Sequence, residues 1–161
     1  MNSIIEQSNS LPEYWNVKKA KFIFNIYNGD SLKDTEKAVL ESSDRLGLPY
    51  ISTKDIDLET SKINYENGLW IPIEEKNYKI APNESSLLCI EGGSAGRKIG
   101  FVNRDVCFVN KLACFQIASE NNPRFLFYYL NSQPFKAQFQ LAITGLIGGV
   151  AISLIKNFGY C

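Results

Sequence analysis

Histidine is missing altogether from these 161 residues. Its absence removes the base of a Ser-His-Asp or Cys-His nucleophile and any His-ligated metal. Carboxylates and lysines could still do chemistry, so catalysis is disfavoured and no catalytic residue is assigned. Cysteine is scarce: Cys89, Cys107, Cys114 and Cys161, with no CxxC pair. Three of them sit in apolar runs, which fits free buried thiols in a reducing cytosol better than disulfides or zinc. No apolar run approaches the ~18 residues of a membrane helix. The opening Met1-Asn2-Ser3-Ile4-Ile5-Glu6-Gln7 lacks the basic-then-apolar order of a signal sequence. The expectation is a cytoplasmic protein with no metal and no cofactor.

Net charge is absent too, which at first argues against a nucleic-acid partner. The balance is uneven along the chain, however. Residues 1–54 carry seven basic and seven acidic side chains, and residues 55–91 carry three and eight. Residues 92–161 carry seven basic and two acidic, a balance of +5. A cationic C-terminal half can present an anion-binding face, although charge alone is better explained by a mixed surface.

What is present suits one packed domain: 45% apolar and 12% aromatic residues in a chain too short for two comfortable domains. Residues 1–10 read as a loose arm. Leu11 to Trp15 gives a turn, and Phe22-Ile23-Phe24-Asn25-Ile26-Tyr27 a strand ending at Asn28-Gly29. Residues 30–47 read as a surface loop with a short helix over Asp34 to Leu40. Short strands are expected at 49–53, 70–73, 78–80, 86–90 and 99–102, and a longer one from 107 to 117 broken at Asn110-Lys111. Pro72 and Pro82 mark edges or breaks. Asn122-Pro123 and Ser132-Gln133-Pro134 are helix starts, with a capping side chain before an early proline. The second helix carries Phe135, Phe139 and Ala142 at helical spacing and ends at Thr144-Gly145. After a glycine loop at 144–149, Ala151-Ile152-Ser153-Leu154 reads as a last strand. The fold class is α+β: a curved, mostly antiparallel sheet with late helices.

Four motifs invite chemistry. Gly92-Gly93-Ser94-Ala95-Gly96-Arg97-Lys98 is not a Walker loop, because only three residues separate Gly92 from Gly96 and Ile99 follows the lysine. A tight turn carrying two cations fits better, and it suits DNA phosphates or a guanine edge. Asn122-Pro123-Arg124-Phe125 echoes the Asn-Pro-Pro-aromatic motif of adenine methyltransferases, but helix capping explains it fully. The aromatics Phe125, Phe127, Tyr128 and Tyr129 could stack single-stranded bases, yet at helical spacing they read as core. The glycine loop at 144–149 is either a plain link or backbone approaching a ligand.

Several segments, in order, resemble the target-recognition domain of type I restriction–modification specificity subunits. They are Leu11 to Trp15 with Lys18, Phe24 to Gly29, Pro49-Tyr50-Ile51-Ser52-Thr53-Lys54-Asp55-Ile56, Gly92 to Phe101, Asn110-Lys111-Leu112-Ala113, Phe125 to Leu130, and Thr144-Gly145 through Lys156. The resemblance covers residues 11–157 and leaves 158–161 as the start of a linker toward a long helix. Lys111 stands where such domains commonly carry Gln, and Ile147 with Val150 makes the last loop unusually apolar.

The resemblance implies a non-catalytic domain that reads half of a bipartite double-stranded DNA site. Partner subunits would methylate adenine and restrict DNA. Specificity subunits usually carry two such domains, so a half-subunit or an N-terminal fragment is expected, working with a second domain or as a homodimer. The implied DNA surface is Ser52, Thr53, Lys54, Ser94, Gly96, Arg97, Lys98, Asn110, Lys111, Thr144, Gly145 and Gly148. Arg97, Lys98 and Lys111 would reach guanine acceptors, Asn110 adenine, and Ser52, Thr53 and Thr144 phosphates. The rivals are the recognition module of a single-chain restriction–methylation enzyme, a small carboxylate or lysine enzyme, and a protein-binding module without a DNA role.

Overall fold

The computed structural model describes residues 12–13, 16–41, 46–75, 77–118, 122–144 and 148–160. The expected arm at 1–10, the Tyr14-Trp15 pair, Gly145, Ile147 and Cys161 lie outside them. The strands in chain order are β1 (Lys18–Lys19), β2 (Phe24–Asn28), β3 (Leu48–Ile51), β4 (Trp70–Ile71), β5 (Ile80–Ala81), β6 (Ser86–Cys89), β7 (Ile99–Phe101), β8 (Val106–Phe108), β9 (Leu112–Ile117) and β10 (Gly159–Tyr160). The α-helices are α1 (Asp34–Glu41), α2 (Pro123–Asn131), α3 (Gln133–Ala142) and α4 (Ile152–Ile155). One sheet runs β2-β9-β6-β7 and is wholly antiparallel. A second runs β4-β3-β8-β5, with β3 and β8 parallel, and β1 pairs β10 in a separate ribbon.

The α+β class and the mostly antiparallel pairing are as expected, but the strands divide into two stacked sheets. The sequence of β6 and β9 explains the stacking. Successive side chains of a strand point to opposite faces, so a strand covered on both sides must be apolar throughout. Leu87, Cys89, Leu112 and Cys114 point into a core shared with Ile51, Val106 and Phe108 of the second sheet. Leu88, Ala113 and Phe115 point the other way, into a core with Leu126, Leu130, Phe135, Phe139 and Ile155 of the helices. A smaller cluster of Leu32, Tyr50, Leu69, Ile71 and Cys107 covers the outer face of the second sheet. Burying each of these large side chains contributes about 1.5–3 kcal/mol.

Hydrogen bonds stitch the two sheets where β2 ends. The Asp30 N–H donates to the Phe108 carbonyl at 2.9 Å. The Tyr27 hydroxyl donates to the Ile80 carbonyl and the Tyr50 hydroxyl to the Asp30 carbonyl, each at 2.6 Å. Gly29 sits in this seam, where a Cβ would lie 1.9 Å from the Phe108 carbonyl oxygen. Only glycine allows the backbones so close.

The helix starts follow their caps. Asn122 Oδ1 accepts from the Arg124 N–H at 3.0 Å, and Pro123 opens α2. Ser132 caps α3 in the same way. The aromatic run of α2 is less buried than expected. Leu126 and Leu130 are the core residues, whereas Phe125 and Tyr128 are 50% and 63% exposed.

Residues 151–154 are not a strand. Ile155 N–H and Lys156 N–H donate to the Ala151 and Ile152 carbonyls, which makes one turn of helix and buries Ile155. Four residues with three apolar ones do not separate the two periods, and tertiary packing decided. The strand expected at 70–73 stops at Ile71 before Pro72, and that at 49–53 stops at Ile51 before a 3₁₀ turn over Thr53–Asp55. Beyond residue 157 the chain returns to its own start. Phe158 is buried, the Ala20 N–H donates to its carbonyl at 2.9 Å, and Lys18 and Lys19 pair with Tyr160 and Gly159.

Candidate nucleic-acid interface

The expected site loops meet around the end of β6. Past Cys89 the backbone is bonded on every side. Ile90 N–H donates to the Lys111 carbonyl, Val150 N–H to the Ile90 carbonyl, Gly96 N–H to the Cys89 carbonyl and Gly92 N–H to the Gly148 carbonyl, at 2.8–3.0 Å. Glu91 forms an antiparallel bridge with Gly149. Three loops far apart in sequence thus share one anchor.

The fourth loop joins through a side chain. Lys98 Nζ donates to the Thr53 carbonyl at 2.9 Å. Burial pushes the Cys89 thiol up from its ordinary range, while the backbone at Glu91 and the charges of Lys98 and Lys111 pull against that. The charges of both lysines therefore reach the same thiol.

Around Thr53 the local chemistry is a lock. The buried Asp55 takes three donors on Oδ2: Ser52 N–H, Ser52 Oγ–H and Asn67 Nδ2–H, each at 2.8 Å. Asn67 also donates to the Tyr50 carbonyl at 2.6 Å. The Ser-x-x-Asp spacing in the sequence is this turn, so the Ser52 hydroxyl is engaged internally rather than presented to a ligand.

The Gly92–Lys98 segment is a run of turns leading into β7, not into a helix. Ser94 carries it through its carbonyl, which accepts from Arg97 N–H and Lys98 N–H. Gly96 has φ +74° and lies against Phe139 of α3. Arg97 is exposed, whereas Lys98 is half-buried because of its bond to Thr53.

Two clefts flank the anchor and share Asn110. One, of about 640 Å³, is lined by Asn28, Glu91, Asn110, Thr144 and Gly148 over Ile90, Val150 and Ile152. The other, of about 450 Å³, brings Ser52, Lys54, Asn110 and Lys111 together with Lys37 and Glu41. Arg97 and Gly96 line neither. They face a third cleft of about 430 Å³ with Lys136 of α3. Sequence reasoning missed Asn28, Glu91 and Lys136. Asn28 was visible only as a turn residue, and Lys136 only as one more polar residue on a helix. Among the described residues no group of three or more Cys, Asp or Glu could hold a metal ion, and no helix is long and apolar enough to cross a membrane.

No family model and no curated protein matches the chain in sequence. Solved structures do match it in shape. A chain from a structure of the complex assembly and conformational transition of the type I R-M system superposes with a TM-score of 0.68 at 16% identity, over 94% of this chain and 34% of that one. The HsdS subunit from Thermoanaerobacter tengcongensis gives 0.65 at 18% identity, over 93% and 33%. The type I restriction–modification S subunit from M. genitalium gives 0.56 at 14%, over 93% and 35%. The chain shares its fold with these S subunits over most of its length. The chain spans about a third of the length of each of these neighbours. Within this fold, the anchor past the end of β6 gathers loops from four parts of the sequence.

Proposed function

We propose that the chain reads double-stranded DNA as one target-recognition domain, covering half of a bipartite site. The observation that carries this reading is the gathering of Lys54, Lys98, Lys111 and Asn110, with the glycine turns, at the anchor past Cys89. Cations there neutralise phosphate, and amides and guanidinium groups pair with base edges. The likeness in fold to S subunits supports the same reading. The domain itself contributes recognition and no catalysis. Methylation and restriction subunits of a type I complex act on the DNA it selects, and a second recognition domain, from the same or another chain, reads the other half.

The test is the triple variant Lys54→Glu, Arg97→Glu, Lys111→Glu, made at exposed positions. Wild type should bind duplex DNA with a salt-sensitive affinity, and the variant should lose that binding while keeping its unfolding midpoint. Equal binding by both proteins at low salt would sink the proposal.

A further inference from the structure

The cleft between the Asn110 turn and residues 148–152 carries one charged group among its described residues, and it is acidic: Glu91. Its position is fixed. Glu91 lies in the bridge with Gly149, its carbonyl accepts from the Cys89 thiol, and the next N–H is bonded to Gly148. Gly149 carries no side chain, and the Glu91 Cγ lies close over it. The carboxylate is exposed, and among the described residues it has no ion-pair partner.

A carboxylate here is at odds with a purely phosphate-binding surface, since it repels the DNA backbone. It fits if it meets a base edge. In the major groove the donors are the exocyclic amines, cytosine N4 and adenine N6, and a carboxylate can only accept. Asn28 and Asn110 line the same cleft with amides, which can pair with an adenine edge. Resting on the DNA reading above, we infer that Glu91 is a specificity-determining residue that accepts a hydrogen bond from the amine of a cytosine or adenine.

The experiment is binding of the full chain, at micromolar concentration, to a pool of duplexes with randomised sequence, followed by sequencing of the bound fraction. Wild type should enrich cytosine or adenine at one position. Glu91→Ala should remove that preference, a change on the order of tenfold, and leave the other positions as they were. If Glu91→Ala does not fold, Glu91→Gln removes the charge at constant shape and should weaken the same preference. An unchanged motif with uniformly tighter binding overturns the assignment, because Glu91 then only repels phosphate. A wild-type pool with no enrichment overturns the DNA reading and this assignment together.

Discussion

Asp55 and Lys98 do similar work at single residues, each closing a loop that has no regular pairing of its own. Three donors converge on one oxygen of Asp55, which is buried. Asp55→Ala leaves all three without an acceptor and should cost on the order of 2–4 kcal/mol in urea unfolding. Ser52→Ala, which removes one donor of the set, should cost about 1 kcal/mol. A loss below 0.5 kcal/mol for Asp55→Ala would show that the lock is idle.

Arg97 and Lys98 are neighbours in sequence with different surroundings. Arg97 is exposed, and Lys98 is tied to Thr53. Arg97→Ala should therefore leave stability within about 0.5 kcal/mol of wild type. If the guanidinium reads a guanine edge, the same change lowers discrimination at one base pair by about 1–3 kcal/mol. Lys98→Ala should lower stability as well as binding, because it frees the Thr53 turn from the glycine turn. Measuring unfolding midpoints and duplex affinities of both variants separates these cases.

At the scale of elements, the glycine turn is held by a helix distant in sequence. A Cβ on Gly96 would lie 2.5 Å from a ring carbon of the buried Phe139, in a backbone of φ +74°. Gly96→Ala should destabilise by about 2–4 kcal/mol, from left-handed strain and from overpacking against α3. Asn122→Ala removes the α2 cap and should cost about 1 kcal/mol. Thermal denaturation of the two variants checks the order, and a more harmful Asn122→Ala would contradict it. The caps of α2 and α3 were legible in the sequence because capping is local chemistry. Contact between the turn and α3 was not, since it joins residues 43 positions apart.

At the scale of the molecule, the thiols report on the packing on both faces of the second sheet. Burial, with the Asp30 carboxylate adding to it, pushes the Cys107 thiol from its ordinary 9.0 to about 12. The neutral thiol is thus the form that the fold prefers. Below about pH 9 both folded and unfolded chains hold the proton, and the stability is fully present. Between about pH 9 and 12 the unfolded chain ionises first, so stability falls as pH rises. Burial raises Tyr27 and Tyr50 in the same direction. Chemical denaturation from pH 7 to 11 should give a flat, then falling midpoint, and a rising one would contradict the buried-thiol arrangement. In a Cys161→Ser variant, Cys89, Cys107 and Cys114 should react with thiol reagents only on unfolding.

The sequence by itself determined the α+β class, the caps at Asn122 and Ser132, the break at Asn110-Lys111 and the turn at Gly92 to Lys98. Each depends on neighbours within a few residues, so the chain states it locally. The tertiary structure alone decided which faces of β6 and β9 meet which layer, because an apolar run covered on both sides carries no alternation to read. It made residues 152–155 helical, and it brought residues 18–19 to 159–160. It also turned Ser52 and Lys98 inward and left Arg97, Lys111 and Glu91 outward. Composition cannot distinguish these side chains, since what separates them is the partner each meets across the fold.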